Sequence, residues 1–268
     1  GLSPEGGWVA FGVSRSDTVQ DRHDRDIWMT RWDGATTVRV TSSKESETSP
    51  KWSPDGRYLS FLSGRENEDE DDGDQLWLLN RAGGEAERVT EIKSGISDYA
   101  WSPDGKRLVF VIDDGDSVEV GAGDSSKAKT PHPIVIDRFY FKEDVTGYLC
   151  RKRSHLYLFD LASRKLEPLT PGNFTELLPS WSPDGKSIAF TSKREGDPDR
   201  GDNWDVYVVD AHAGAVPRQL TTYDGADGSP DWASAPAWSP DGRTIAYIRG
   251  GAPKLVSYGQ QELALVPV

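Results

Sequence analysis

Trp52-Ser53-Pro54-Asp55-Gly56-Arg57-Tyr58-Leu59-Ser60-Phe61 returns later in the chain as Trp101-Ser-Pro-Asp-Gly-Lys-Arg-Leu-Val-Phe110. It returns again as Trp181-Ser-Pro-Asp-Gly-Lys-Ser-Ile-Ala-Phe190 and as Trp238-Ser-Pro-Asp-Gly-Arg-Thr-Ile-Ala-Tyr247. Leu2-Ser-Pro-Glu-Gly-Gly-Trp-Val-Ala-Phe11 is a weaker first copy. In each copy proline presets φ for a tight turn, aspartate can hydrogen-bond nearby backbone, and glycine supplies the positive φ of the reversal. The residues after the turn alternate bulky and small. Leu59 and Phe61 oppose Ser60, Leu108 and Phe110 oppose Val109, Ile188 and Phe190 oppose Ala189, and Ile245 and Tyr247 oppose Ala246. A period of two is a strand, with one bulky face and one shallow face.

Working outward, each turn is followed by a second strand: Ile27-Trp-Met-Thr30, Leu76-Trp-Leu-Leu79, Leu156-Tyr-Leu-Phe159 and Val206-Tyr-Val-Val209. A further short strand then ends in threonine, at Arg39-Val-Thr41, Arg88-Val-Thr90, Pro168-Leu-Thr170 and Gln219-Leu-Thr221. Four short strands with their turns fill about 40–50 residues, the size of a propeller blade. The fold expected is therefore all-β, a β-propeller of four-stranded antiparallel blades with about five blades represented. Repeat units fall at 1–41, 42–90, 91–170, 171–221 and 222–268, with an insertion at 112–154 in the third unit. The first unit offers only a stub of its innermost strand, and the last stops at the third-strand position, so the ring is expected to be incomplete. A two-sheet sandwich is the rival architecture; repetition of whole units favours radial stacking.

Composition narrows the function. Charged residues make up 28% of the 268 residues and hydrophobic ones only 35%, a balance suited to short strands and long polar loops. Ten Trp, nine Tyr and eight Phe supply the core. The formal charge of −13, with its longest charge run acidic from Arg65 to Asp74, argues against a nucleic-acid groove. No apolar run approaches the roughly 20 residues that span a bilayer, so no membrane insertion is expected. The one cysteine, Cys150, cannot form an intrachain disulfide.

The connections divide into two sets. Turns between first and second, and third and fourth, strands are short. Those between second and third strands, at 12–26, 62–74, 112–154 and 191–204, are long and charged, as is the stretch from Thr221 to Ala237. Function concentrates in loops held by a rigid scaffold, so this second face is the expected working side. Its largest element is the insertion, where Ile134-Val-Ile-Asp-Arg-Phe-Tyr-Phe141 and Gly147-Tyr148-Leu149-Cys150 read as a strand or hairpin projecting from the ring. Arg138, Glu143 and Asp144 are the candidate contacts to a peptide or a facing domain, weighed against a purely structural role.

Catalytic chemistry is hard to place. There is no Gly-x-Ser-x-Gly nucleophile elbow. His23, His132, His155 and His212 are scattered, and His155, at the hydrophobic entry to a strand, reads as structural. His23 lies with Asp21, Asp24 and Asp26, but without metal-ligand spacing. The acidic stretch Glu68–Asp74 lacks the glutamate a calcium loop needs, with Leu79 in its place. No catalytic residue, cofactor site or metal site is assigned.

The repeated Trp-Ser-Pro-Asp-Gly unit resembles the propeller of prolyl-oligopeptidase-family serine peptidases, closest to bacterial acylaminoacyl-peptidase or dipeptidyl-peptidase-like members. The likeness covers essentially the whole chain. It is carried also by Val135-Ile-Asp-Arg-Phe-Tyr-Phe141, Arg153-Ser-His-Leu-Tyr-Leu-Phe159, Asp197-Pro-Asp-Arg-Gly-Asp-Asn-Trp-Asp205 and Pro217-Arg-Gln-Leu-Thr221. The turn itself is shared with non-enzymatic TolB-like interaction propellers, the alternative reading. The peptidase resemblance implies a propeller that gates and recognises short peptide substrates. Catalysis would lie in an α/β-hydrolase domain of the same parent protein, outside this chain. The single cysteine is compatible with a bacterial cytoplasm and does not exclude the periplasm. The chain opens inside a repeat, so the native N-terminus is expected upstream, and oligomerisation is left open.

Overall fold

A computed structural model describes residues 1–18, 22–67, 73–114, 136, 139–143, 147–148, 153–251 and 259–268. The described strands form five antiparallel sheets in chain order, plus one small hairpin. Sheet one holds β1 (Trp8–Asp17), β2 (Arg22–Arg31) and β3 (Thr37–Arg39), with Leu2 bridged to Val9 as a stub of a further strand. Sheet two is β4 (Glu47–Trp52), β5 (Tyr58–Ser63), β6 (Gln75–Asn80) and β7 (Glu87–Arg88). Sheet three is β8 (Asp98–Trp101), β9 (Arg107–Asp114), β12 (Arg153–Asp160) and β13 (Lys165–Pro168), with β10 (Lys142–Glu143) and β11 (Gly147–Tyr148) as the hairpin in its insertion. Sheet four is β14 (Glu176–Trp181), β15 (Ser187–Ser192), β16 (Asp205–Asp210) and β17 (Arg218–Gln219). Sheet five is β18 (Ala237–Trp238), β19 (Thr244–Arg249) and β20 (Glu262–Pro267).

The chain is thus a β-propeller of about five blades. The turn motif builds four of the sheets, two to five, in the same way. Ser53 donates its hydroxyl to Asp55 at 2.6 Å, Asp55 accepts the Arg57 N–H at 3.0 Å, and Gly56 stands at φ 67°. Ser102 with Asp104, Ser182 with Asp184 and Ser239 with Asp241 repeat this at 2.6–2.7 Å. These bonds favour the ionised carboxylates, and all four aspartates are held below the usual carboxylate range, the serine hydroxyl being the largest cause.

The tryptophan that opens each motif reaches back to the preceding sheet. Trp52 Nε1 donates to the Gly1 carbonyl at 3.1 Å, Trp101 to Ser60 Oγ at 2.8 Å, Trp181 to the Ala100 carbonyl at 3.1 Å and Trp238 to the Ser180 carbonyl at 3.2 Å. Packing follows the same rule. Trp52, Leu59, Phe61 and Trp77 of sheet two lie on Ala10 and Ile27 of sheet one. Tyr99, Leu108 and Phe110 lie on Leu76 and Leu78, Trp181, Ile188 and Phe190 on Leu156 and Leu158, and Ile245 and Tyr247 on Val206 and Val208. The bulky face of each sheet therefore covers the shallow face of the one before. Four core clusters join five sheets in sequence. Among the described residues none joins sheet five to sheet one, so no ring is closed.

One boundary differs from the sequence reading. The connection expected across 12–26 is mostly strand, because β1 runs to Asp17 and β2 starts at Arg22, with Ser16 opposite His23. Polar side chains do not stop strand pairing when partners lie across the hairpin: Arg25 Nε donates to Ser14 Oγ at 2.9 Å.

Candidate functional site

In sheets one, two and four the residue four positions after the second-strand phenylalanine is an arginine: Arg15, Arg65 and Arg194. Each folds back over an aromatic ring of the third strand. Arg15 lies 5.9 Å from the Trp28 ring, Arg65 4.5 Å from Trp77 and Arg194 5.0 Å from Tyr207. In sheets two and four a buried glutamate at the start of the first strand completes the wedge, Glu47 at 3.7 Å from Arg65 and Glu176 at 2.6 Å from Arg194. Sheet five uses Arg249, 3.3 Å from buried Asp227 and 5.1 Å from the Tyr223 ring. Charge, stacking and hydrogen bonding thus fix the root of the loop face, where the carboxylates would be costly if left alone.

A threonine completes these networks. Thr41, Thr90, Thr170 and Thr221, just past the fourth strands, each accept the backbone N–H of a third-strand residue: Ile27, Leu76, Leu156 and Val206, at 2.8–2.9 Å. Each hydroxyl passes its proton to a buried acceptor: Glu47, Gln75, Glu176 and Asp205 respectively. His155 joins the third of these, its Nδ1 2.8 Å from Glu176 Oε2, and is nearly fully buried.

The network between sheets four and five is the least neutralised. Asp205 accepts Thr221 Oγ1 and Gln219 Nε2, both at 3.0 Å, and is fully buried; burial pushes its carboxyl up to about 6, with Asp227 and Glu195 adding repulsion. Asp227 is also raised by burial, and among the described residues its Oδ2 has no hydrogen-bond partner. Beside them the Tyr207 hydroxyl is buried, with no partner among the described residues, and burial followed by the charge of Asp205 pushes it up to about 12.

The loops of this face line two clefts, one above this junction and one between sheets three and four. One cleft of about 620 Å³ is lined by Asp202, Asn203, Asp224, Asp231, Trp232 and Arg200 among others. A second, of about 640 Å³, is lined by Ile136, Phe139, Phe174, Asp197, Asp199 and again Arg200. Arg200 is the shared wall: its Nε donates to Asp197 at 3.1 Å and its guanidinium lies 4.4 Å from the Phe139 ring of the insertion. Trp232 is carried on a 3-10 turn, Pro230–Trp232, with Ser229 as its cap. Its ring packs so close to Gly250 that a Cβ there would lie 2.9 Å from it. Aromatic walls and an excess of carboxylates suit an extended chain carrying positive charge.

Of the residues selected from sequence, Arg138 and Asp144 lie outside the described residues, as do Cys150 and His132. Glu143 is in β10, its backbone paired with Gly147. Asp26 is buried and bound to Arg39 at 2.7 Å. His212 is exposed in a turn, its Nδ1 3.1 Å from the Ala213 carbonyl. Sequence reasoning missed Arg200, Trp232 and the repeated arginines; the Phe-to-Arg interval of four was the available signal for the last.

The profile of the TolB beta propeller domain matches residues 1–132 and 149–255. The chain is 29% identical over 207 residues to "Uncharacterized peptidase YuxL" of Bacillus subtilis, covering 77% of this chain and 31% of that protein. Acylaminoacyl peptidase of Pyrococcus horikoshii superposes with a TM-score of 0.65 at 18% identity, over 97% of this chain and 36% of that one. TolB from Acinetobacter baumannii superposes with a TM-score of 0.58 at 19% identity, over 98% and 53%. At these identities the two structures bear on fold alone. The chain spans about a third of the length of the bacterial and archaeal peptidases it matches.

Proposed function

Since the chain belongs to the TolB beta propeller domain family, we propose that it is the substrate-gating and recognition propeller of a serine peptidase acting on short peptides. Catalysis would reside in an α/β-hydrolase domain of the parent protein. The relatives named as peptidases support this reading, and acylaminoacyl- or dipeptide-releasing activity is the class it favours. The observation that carries it is the pair of clefts on the loop face that share Arg200 as a wall, one lined by Phe139 and Phe174 and the other by Trp232. An extended peptide fits along them, with aromatic rings for its side chains and carboxylates for an amino group. We assign Arg138, Glu143 and Asp144 as further contacts from the insertion.

The test is steady-state kinetics of the parent enzyme against matched peptides with free and blocked amino termini. Trp232→Ala should raise KM about tenfold with kcat little changed, as loss of binding shared by ground and transition states requires. Unchanged KM for every peptide would overturn the recognition role. A parent protein without hydrolase sequence would overturn the peptidase reading altogether. The second reading, a protein-interaction propeller, is favoured by the exposed apolar run Ile136, Phe139, Tyr140 and Phe141. It expects a protein ligand on the insertion and no peptidolysis.

A further inference from the structure

The residue two positions before each fourth-strand threonine is Arg39, Arg88, Pro168 or Gln219 in sheets one to four. Buried Asp26 binds Arg39 at 2.7 Å, and buried Asp205 binds Gln219 at 3.0 Å. In sheet two the position of that acid is held by Gln75, which is neutral and accepts Thr90 Oγ1 and the Ile92 N–H. Arg88 keeps its charge without the acid. Its Nε donates to the Thr90 carbonyl at 3.0 Å and its Nη1 to the Glu66 carbonyl at 2.9 Å, and among the described residues no carboxylate pairs with it. Two neutral oxygens thus fix a guanidinium whose charge has no counterion.

Arg88 lines a cleft of about 350 Å³ between the outer strands of sheets two and three. Buried Phe159 and Val89, with half-buried Leu166, give it an apolar floor, and Phe159 is fixed by stacking on Phe110 at 5.0 Å. Glu91 and Arg164 complete its charged lining. Arg164 stands at φ 56°, in a turn whose counterparts in sheets one, two and four reach this region with Gly34, Gly84 and Gly214. A side chain is disfavoured there, so the turn bears strain to place an arginine at the cleft. Arg164 is held to Glu87 at 2.5 Å, which ties sheet three to sheet two.

We propose that this cleft binds a free aliphatic α-amino acid of about the size of leucine. The side chain of the ligand lies on Phe159 and Leu166, its carboxylate is taken by Arg88, and its ammonium group by Glu91. Small-molecule sites span roughly 300–1,000 Å³, so a cleft at the lower end of that range suits a single amino acid. Each charge of the zwitterion meets one of opposite sign, and the carboxylate supplies the counterion that Arg88 lacks. Arg164, already paired with Glu87, shapes the wall. The cleft shares no lining residue with the two on the loop face, so the site is separate from them.

The test is calorimetric titration of the intact chain with L-leucine, for which a Kd on the order of 1 mM is expected of so small a ligand. Leucinamide, which lacks the carboxylate, should bind about tenfold more weakly. N-acetyl-leucine, which keeps the carboxylate and lacks the ammonium group, should bind about fivefold more weakly. Arg88→Gln, copying Gln219 of sheet four, should weaken leucine about tenfold, and Glu91→Gln should bring leucine down to the level of N-acetyl-leucine. An unchanged tryptophan emission spectrum checks that both variants fold, and the three ligands on the unaltered chain test the site without them. Leucinamide binding as well as leucine overturns the proposal, as does leucine binding that ignores Arg88→Gln or shows no saturation. Equal affinity for N-acetyl-leucine also overturns it, since the occupant would then be the C-terminal residue of a peptide.

Discussion

Trp181 Nε1 lies 3.1 Å from the carbonyl oxygen of Ala100, which ties sheet four to sheet three across 81 residues of sequence. The same indole is stacked by Arg107 at 5.0 Å, and Arg107 in turn donates to the Ala211 and Gly185 carbonyls at 2.9 and 3.0 Å. One residue of the turn motif thus packs, bonds and anchors a neighbouring cation. Trp181→Phe should cost about 1.5 kcal/mol, the loss of one hydrogen bond and part of the stack, and Trp181→Ala about 4 kcal/mol. Urea unfolding with a constant m-value would measure both.

The turn motif itself gives a smaller effect. Gly185 holds φ 70° and closes the turn that Ser182 and Asp184 cap. Gly185→Ala should lower stability by about 1 kcal/mol, because a side chain disfavours that backbone region. Gly242→Ala, at φ 71° in the last copy, should act alike. A shift in urea midpoint common to both would confirm that the geometry, not the neighbourhood, sets the cost.

Glu176 receives Arg194, Thr170 and His155 while nearly fully buried. Glu176→Leu removes the acceptor and leaves three donors facing an apolar side chain, at a cost of about 3 kcal/mol. Arg194→Leu alone should do as much, and the double variant should cost clearly less than the sum. Additive costs would mean the wedge is not a unit.

A pH dependence follows from Asp205. Its carboxyl titrates at about 6 in the folded chain, above its ordinary value, because it is buried. The folded state then holds a proton that the unfolded state releases, so this contribution is present in full below about pH 4 and is lost as pH rises through 6. Asp205→Asn, with the Gln219 amide turned to meet it, should flatten the stability–pH curve between about pH 4 and 6 and gain on the order of 1 kcal/mol at pH 7. Thermal melts across that range, paired with the wild type, would show it; an unchanged slope would remove Asp205 as its source.

The fold was legible because one physical unit recurs. Pro54, Asp55 and Gly56 dictate a turn, and the alternation after them dictates a strand whose two faces must both be covered. The fourth-strand threonines were visible as an ending, but their work was not. Nothing local shows that Thr90 meets Gln75, 2.9 Å away across the sheet. The clefts were the least legible part. Arg200 matters because Phe139, from a different blade, rests against it, and Trp232 matters because Gly250 leaves room for its ring. Such contacts are set by how blades sit side by side, which pairwise sequence spacing does not encode. The hairpin boundary at Asp17 and Arg22 failed for a related reason: polar residues satisfied by each other across a hairpin read, one at a time, like a loop.

The arrangement of the four core clusters has a consequence for how this chain comes apart. Among the described residues each sheet packs on its neighbours in the row, sheets two, three and four on two sides and sheets one and five on one. The sheets are thus expected to come apart as coupled units. Opening should therefore begin at the flanks and travel inward, with the third sheet the last to go. A partner seated against sheet five would slow that unravelling from its flank, beside the cleft that Gly250, Gly251 and Gln261 help to line.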